Sequence, residues 1–364
     1  MSAAAAPRRR VEVALGARSY AIELGLGTLP ELGAAVLRVV QPTRVMLVTT
    51  PPVGRRWAAR TLASLANAGL RARRFDIPDG ERSKSLAQAG RLYDALLAAG
   101  ADRGTVVVAL GGGVVGDLAG FVAATLLRGL PVVQVPTSLL AMVDSSVGGK
   151  TGVNVARGKN LVGAFHQPRL VWIDAAVLGT LPLRQRRAGL AEVVKHAAIS
   201  DAQLFAELEA EGPRLLGDEL ERLLPILERN CAIKASVVSQ DERESGLRML
   251  LNFGHTLGHA VESLARYRGV LHGEAVAMGM AFAARRSESL GLAPGGTAER
   301  LVALLDRLGL PTELPRHPRR AYLAALSVDK KKRDGRIHFV ALRGIGRAET
   351  VPLLPREILP REVR

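Results

Sequence analysis

The segment TVVVALGGGVVGD, residues 105–117, decides the fold class. Its first six residues are an uninterrupted apolar run, which is typical of a strand buried in a parallel sheet. Gly111, Gly113 and Gly116 follow at the spacing G-x-G-x-x-G and open a helical pattern, where free backbone N–H groups can bind a pyrophosphate. In the usual fingerprint the glycines lie in the first strand-helix turn and an acidic residue lies about 20 positions later. Here the turn is not the first one, and no acidic residue lies at that distance. It therefore implies a dinucleotide-binding arrangement other than the usual one.

Strand and helix patterns alternate on both sides of this segment. Further strands are predicted at residues 44–50, 70–75 and 131–135, and helices at 57–68 and 86–99. After Leu181-Pro182 the patterns are helical, at residues 183–200, 201–216, 219–238, 256–265, 273–290, 298–308 and 318–326, and only residues 336–342 suggest a strand. We therefore predict an α/β dinucleotide-binding domain over residues 1–180 and a mainly α-helical domain over residues 181–364.

The composition is that of a globular enzyme with an anionic ligand. The 364 residues carry a net charge of +16, but the basic residues are dispersed, which argues against a nucleic-acid-binding element and favours a small anionic substrate. No uncharged apolar run reaches about 18 residues and residues 1–10 lack the core of a secretory signal, so we expect neither a membrane nor a secreted location. The single cysteine, Cys231, lies in a helical pattern and predicts a buried thiol in a reducing compartment, the cytoplasm.

Three turns carry charge beside glycine. For DGERSK, residues 79–84, the residues alone favour a solvated turn with Ser83 as the cap of the following helix. In VDSSVGGKTG, residues 143–152, Asp144 occupies the position where a phosphate loop needs glycine, but Gly148, Gly149 and Lys150 could still bind a single phosphate. DKKKRDG, residues 329–335, is either a solvated turn or a clamp for an anion.

Four side chains suggest a metal site. Glu192 lies in a helical pattern, His255 and His259 are four apart on one helix face, and His272 opens the next helix. One carboxylate and two imidazoles would leave a coordination position open, as catalytic zinc sites do. Structural histidines remain the alternative, because the sequence does not show that these groups meet.

Together and in this order, the segments resemble the 3-dehydroquinate synthase family of the sugar-phosphate cyclase superfamily, over about residues 79–335. The resemblance implies an α/β domain binding NAD, a helical domain binding a divalent metal, zinc or cobalt, an active site in the cleft between them, and a homodimer. It implies transient oxidation of a hydroxyl by NAD, elimination of phosphate, re-reduction, and aldol closure of 3-deoxy-D-arabino-heptulosonate 7-phosphate to 3-dehydroquinate.

The resemblance also implies three sets of site residues. The metal ligands would be Glu192, His255 and His272. The cofactor-binding residues would be Asp79, Gly80, Glu81, Arg82, Ser83, Lys84, Gly113, Val114, Val115, Gly116, Asp117, Thr137, Ser138, Lys150, Lys159 and Thr180. The catalytic and substrate-binding residues would be Asp144, Lys150, Asn160, Lys195, Lys234, Arg248, Asn252, His259, Lys330 and Lys331, with Arg128 from a partner subunit.

Two positions depart from the family pattern. Thr50, followed by Pro51 and Pro52, stands where Asp or Asn often faces the cofactor ribose, and Ser138 stands where Thr is usual. Three alternatives remain: a metal-dependent alcohol dehydrogenase, a related cyclase that makes a secondary-metabolite ring, and a nucleic-acid-binding protein. The number of cationic residues favours a substrate with two anionic groups, because a neutral sugar would leave Lys234 and Arg248 without a charged partner.

Overall fold

The computed structural model describes residues 8–327, 332–333 and 335–360. The strands are β1 Arg9–Val13, β2 Tyr20–Gly25, β3 Arg44–Thr49, β4 Ala72–Asp76, β5 Thr105–Gly111, β6 Val132–Pro136, β7 Lys150–Val155, β8 Gly158–Phe165, β9 Leu170–Asp174, β10 Lys332–Arg333, β11 Arg336–Gly344 and β12 Arg347–Leu353. The helices are α1 Leu32–Val39, α2 Pro51–Asn67, α3 Leu86–Ala98, α4 Gly113–Thr125, α5 Leu183–Ser200, α6 Ala202–Glu211, α7 Leu223–Gln240, α8 His255–Leu264, α9 His272–Ser289, α10 Thr297–Arg307, α11 Arg319–Ser327 and α12 Pro355–Ile358.

The chain divides into two compact units. The first comprises Met1–Leu181 and Leu220–Ser239, and the second comprises Pro182–Glu219 and Gln240–Arg364. The segment Leu220–Ser239, which the sequence analysis placed in the helical domain, thus belongs to the first unit. Its buried thiol at Cys231 lies 3.6 Å from the carbonyl oxygen of Met142, so α7 packs against the turn that follows β6.

The first unit is built on a seven-stranded sheet in the order β1-β2-β9-β6-β5-β3-β4. All neighbouring pairs are parallel except β1 with β2. Every residue of β5 is buried, which confirms the interpretation of the apolar run at residues 105–110. A separate antiparallel hairpin, β7 with β8, packs on α4. β1, β2, β9 and the hairpin were not predicted, because each is short or has glycine and charged residues within its pattern.

The second unit is mainly helical, as predicted, but it also holds the antiparallel sheet β10-β11-β12. The expectation of a single strand there was wrong, because β12 contains charged residues and Pro352 and its pairing with β11 decides its conformation. Two glycines bring its central helices together. A Cβ on Gly273 of α9 would lie 1.8 Å from the carbonyl oxygen of Ala188 in α5, and one on Gly279 would lie 1.9 Å from that of Gly254. Only glycine permits these approaches.

Among the described residues, no helix is both long and apolar enough to cross a membrane. The position of α2 corrects one predicted boundary, since it begins at Pro51 rather than at residue 57. Proline is well suited to the first helical position, because its fixed φ matches the helix and its missing N–H would be unpaired there. Thr50 is therefore the residue before α2, and it is buried.

Candidate functional site

Three of the four predicted metal-site residues meet at the packed helices of the second unit. Glu192 lies in the middle of α5 and is fully buried, His255 begins α8, and His272 begins α9. Nε2 of His255 lies 3.8 Å from Oε1 of Glu192, and Nε2 of His272 lies 3.7 Å from the same oxygen. One ligand atom from each residue lies within 4.8 Å of the other two.

This cluster has the chemistry and spacing of a metal site. Ligand atoms about 2.0–2.1 Å from a tetrahedral ion are about 3.4 Å apart, close to the observed distances. Within the described part of the chain, neither buried oxygen of Glu192 accepts a hydrogen bond of good geometry, although Lys195 forms an ion pair with it. A buried carboxylate of this kind is stabilised by a cation. The residues present therefore fit a divalent metal.

Both imidazoles are held through their other ring nitrogen. Nδ1 of His255 lies 3.1 Å from the carbonyl oxygen of Phe253, and Nδ1 of His272 lies 3.2 Å from Oε2 of Glu262. These acceptors leave Nε2 of each ring available towards Glu192. Glu262 was not predicted from the sequence, although its position three residues after His259 and seven after His255 places it on the same helix face.

Two further predicted residues, Lys195 and His259, lie beside the cluster of Glu192, His255 and His272. Lys195 is one helical turn from Glu192, and its ammonium is buried against that carboxylate. The His259 ring centroid lies 5.4 Å from that of His255 and 6.2 Å from that of His272, and the residue is exposed. His259 therefore lies beside the cluster at its solvent-facing side, within reach of a ligand bound there.

A tightly bonded turn in the same unit carries Arg248 and Asn252. The Asp241 carboxylate accepts hydrogen bonds from the backbone N–H groups of Ser245, Gly246 and Arg248 and from the Ser245 hydroxyl, at 2.7–3.0 Å. Burial raises the pKa of Asp241, but these bonds outweigh it and lower the pKa to about 2. Arg248 is buried, with its guanidinium donating to the carbonyl of Glu242.

Asn252 lies in the 3-10 turn Leu247–Asn252 and donates to Glu244 at 2.6 Å. The four-residue spacing of Arg248 and Asn252 was expected to place them on one face of a helix. The turn has three residues per revolution rather than 3.6, so that alignment is changed.

In the first unit, the glycine turn joins β5 directly to α4. Gly112 is the residue before the helix, and a Cβ on Gly116 would lie 2.7 Å from Oε1 of Gln134 on the neighbouring strand. A Cβ on Gly113 would come within 3.0 Å of Ser145 Oγ. The side chain of Val115 is buried, so only its backbone is available to a ligand. The free N–H groups of this 13-residue helix fit the phosphates of a dinucleotide.

A polar network connects the 79–84 turn with α4 and the hairpin. Lys84 forms a buried ion pair with Asp117. Burial raises the pKa of the Asp117 carboxyl, and the Lys84 ammonium opposes that rise. Glu81 accepts a 2.8 Å hydrogen bond from Asn154, and the Lys159 ammonium lies 3.7 Å from the same oxygen. The turn is therefore part of a bonded network, which the solvated-turn interpretation did not anticipate.

The cap of helix α3 was assigned to the wrong residue. Ser85, not Ser83, accepts the hydrogen bond from the Gln88 N–H at the helix start. Ser83 instead donates to the carbonyl of Gly80 at 2.7 Å. Ser83 is buried, whereas Asp79, Gly80 and Arg82 are exposed.

Asp144 and Lys234 form an ion pair in the first unit, so Lys234 has a charged partner within the chain. The Lys234 ammonium contacts both the side chain and the carbonyl oxygen of Asp144. Asp144 lies in the π-helical turn Ala141–Ser145, a geometry that recurs at functional sites. Lys150 is exposed at the start of β7, two residues after Gly148, whose N–H donates to the Tyr20 hydroxyl at 2.9 Å.

The remaining predicted residues lie at separate places in the first unit. The Thr137 N–H donates to the carbonyl of Gly111, and Ser138 Oγ accepts from the Ala141 N–H. Thr180 accepts a 3.3 Å hydrogen bond from Trp57. Asn160 and Arg128 are exposed and have positive φ values of 53° and 69°. Lys330 and Lys331 lie outside the described residues.

The chain thus carries a glycine-lined helix N-terminus after a buried parallel strand, and a carboxylate–histidine cluster suited to a divalent metal. These are the features of a dinucleotide- and metal-dependent α/β enzyme. Residues 74–188 match the family model described as 3-dehydroquinate synthase N-terminal, and residues 189–332 match 3-dehydroquinate synthase C-terminal. The chain belongs to the 3-dehydroquinate synthase family, as the resemblance implied.

Individual relatives agree with this assignment. The chain is 54% identical over 334 residues to the 3-dehydroquinate synthase of Geobacter metallireducens, covering 92% of this chain and 93% of the relative. A 2-deoxy-scyllo-inosose synthase complexed with carbaglucose-6-phosphate, NAD+ and Co2+ has a TM-score of 0.88 at 27% identity, with 96% and 98% of the chains covered. ValA, a 2-epi-5-epi-valiolone synthase from Streptomyces hygroscopicus with NAD+ and Zn2+ bound, has a TM-score of 0.85 at 32% identity, covering 95% and 96%.

Proposed function

We propose that the chain has 3-dehydroquinate synthase activity. It would convert 3-deoxy-D-arabino-heptulosonate 7-phosphate to 3-dehydroquinate and phosphate in the shikimate pathway, as a phosphate-eliminating carbon–oxygen lyase. The observation that carries this proposal is the 54% identity to the Geobacter metallireducens enzyme over 92% of the chain. The Glu192, His255 and His272 cluster supports it, because its residues fit the metal that such a reaction needs.

Within this proposal, Glu192, His255 and His272 hold the metal, and the helix N-terminus at Gly113 binds the NAD phosphates. When bound, NAD would take up and return a hydride, and the metal would supply a Lewis acid that lowers the pKa of a coordinated hydroxyl. The Lys195 side chain forms an ion pair with the Glu192 carboxylate. Lys84 neutralises Asp117 near the glycine turn, so the phosphates do not meet an unpaired carboxylate.

The substrate would be bound through two anionic groups. Lys150 and Asn160 are exposed, and we assign a phosphate to them. Arg128 of a second subunit, Lys330 and Lys331 are proposed to join them. Arg248 is a buried cationic side chain, and a substrate carboxylate is the group we assign to it. Lys234 is also buried and pairs with Asp144. Preorganised charges of this kind stabilise developing negative charge without the reorganisation that water requires.

The decisive experiment supplies the keto-acid phosphate with NAD and zinc and measures phosphate release and product. We expect many turnovers per NAD, because the hydride is returned in each cycle. Net NADH equal to product would instead indicate an alcohol dehydrogenase. A preference for sedoheptulose 7-phosphate over the keto-acid would indicate a cyclase of secondary metabolism.

We further propose a cytoplasmic homodimer in which Arg128 completes the partner's site. Arg128 is exposed on a short loop where Leu127, Arg128 and Gly129 all have positive φ, so the loop holds a specific conformation. Mixing inactive Arg128→Ala with inactive His255→Ala protein should restore part of the activity, since one of the two sites in a mixed dimer would be intact. A fully active monomer in sedimentation would contradict this arrangement.

A further inference from the structure

Glu262 is a buried carboxylate that the proposed chemistry does not use. It lies near the end of α8, is 5% exposed, and its Oε2 lies 3.2 Å from Nδ1 of His272. A carboxylate in this position is an acceptor, so the hydrogen of the imidazole is held on Nδ1. The lone pair of His272 is then on Nε2, the nitrogen that lies 3.7 Å from Glu192.

We propose that Glu262 is a positioning residue for the metal site, which fixes the tautomer and orientation of His272 and raises its basicity as a ligand. The inference rests on the proposed metal ligands Glu192, His255 and His272. Partners of this type, joined to a ligand through its second nitrogen, commonly contribute a factor of 10–100 to metal affinity.

The two histidines of the cluster differ in the acceptor that their Nδ1 atoms face. His255 donates from Nδ1 to a neutral acceptor, the backbone carbonyl of Phe253, whereas His272 faces a carboxylate. A negative charge beside the ring increases electron density on Nε2 more than a carbonyl does. His272 is also the more exposed of the two, with its side chain 31% accessible against 10% for His255. Glu262 therefore restrains the ligand that packing restrains least.

Glu262 is not placed to be a ligand itself. It contacts the Nδ1 side of the His272 ring, and Nε2 on the opposite side of the ring faces Glu192. Its role would therefore be carried by the hydrogen bond and the charge, which two substitutions separate. Glu262→Gln keeps an oxygen acceptor but removes the charge, and Glu262→Ala removes both.

The test measures zinc affinity of the metal-free full chain by competition with a chromophoric chelator. We expect Glu262→Ala to bind zinc about 10–100-fold more weakly than the wild type, and Glu262→Gln to show a smaller loss. Glu274→Gln is the matched control, because Glu274 lies in the first turn of α9, as His272 does, but pairs with Arg184 and the Leu271 N–H. It should bind zinc like the wild type. The absorption spectrum of bound Co2+ should change in Glu262→Ala, since it reports ligand geometry independently of activity.

Circular dichroism identifies the variants that fold. Wild-type zinc affinity in every folded Glu262 variant, or an equal loss in Glu274→Gln, would overturn the inference. His272→Ala tests the underlying ligand set separately: if it kept wild-type affinity, the proposed ligands would be wrong whatever Glu262 does. If His272→Ala lost zinc while the Glu262 variants did not, the ligand set would stand and the role of Glu262 would be refuted.

Discussion

Replacing Gly273 with alanine should damage both the packing of the second unit and the metal site. The new Cβ would lie 1.8 Å from the carbonyl oxygen of Ala188 and 2.6 Å from its carbon. Non-bonded contacts of this type require at least about 3 Å, so α9 and α5 must separate locally by more than about 1 Å. Overpacking in a closely packed interior typically costs about 1–3 kcal/mol, and a clash with the backbone of Ala188 rather than with a flexible side chain places this substitution at the upper end.

The same displacement would separate two metal ligands. His272 directly precedes Gly273 on α9, and Glu192 follows Ala188 by one turn on α5. Because Nε2 of His272 and Oε1 of Glu192 are already 3.7 Å apart, a further shift of about 1 Å exceeds what a tetrahedral ion can bridge. We therefore expect Gly273→Ala to lose zinc affinity in addition to stability.

The assay is urea unfolding of the metal-free protein, followed by zinc binding under native conditions. Gly90→Ala is the control, because Gly90 lies in α3 and its added Cβ would meet nothing within 4 Å. That variant should be unchanged or more stable by about 0.5–1 kcal/mol, the usual helical preference for alanine. A Gly273→Ala protein with wild-type stability and wild-type zinc affinity would refute the packing argument.

Three further predictions test other parts of the molecule. The Asp241 carboxyl has a pKa of about 2, below its unfolded value, so the stability that it contributes is present above about pH 4 and is lost as pH falls towards 2. Asp241→Asn should therefore remove on the order of 1–2 kcal/mol from the pH dependence of the free energy of unfolding in urea. An unchanged pH profile would contradict this prediction. Burial raises the pKa of Cys231 to about 12, so a thiol reagent at pH 8 should label the unfolded protein but not the native one, and rapid native labelling would show that the thiol is accessible. Arg248→Leu should raise KM and lower kcat for the keto-acid phosphate, and unaltered kinetics would remove Arg248 from the substrate site.

Much of the first unit could be predicted from local patterns. The apolar run of β5 and the glycines after it specify a buried strand and a helix start, since few other conformations suit those residues. β9 and β12 could not be predicted in this way, because their conformations depend on pairing with β2, β6 and β11 across long sequence separations.

The residue types of the candidate metal site could be predicted from the sequence, but the contacts that bring them together and hold them could not. His255 and His259 are four apart on one helix, a spacing that any sequence analysis detects. Glu192 joins them only through the packing of α5 against α9, which depends on Gly273 and is not visible in the sequence. Glu262 and Asp241 were missed because single acidic residues in helical or turn patterns are usually solvated, and their roles depend on the atoms that they contact.

The first unit includes the later segment Leu220–Ser239, and this has a consequence for folding during synthesis. During translation, residues 1–181 emerge before α7 exists, so the first unit lacks one of its own helices at that stage. At about 5–20 residues per second, the ribosome needs roughly 3–12 s more to deliver that helix. Until then the surface that later buries Cys231 is open, and a gene fragment ending at residue 181 would produce that incomplete state permanently.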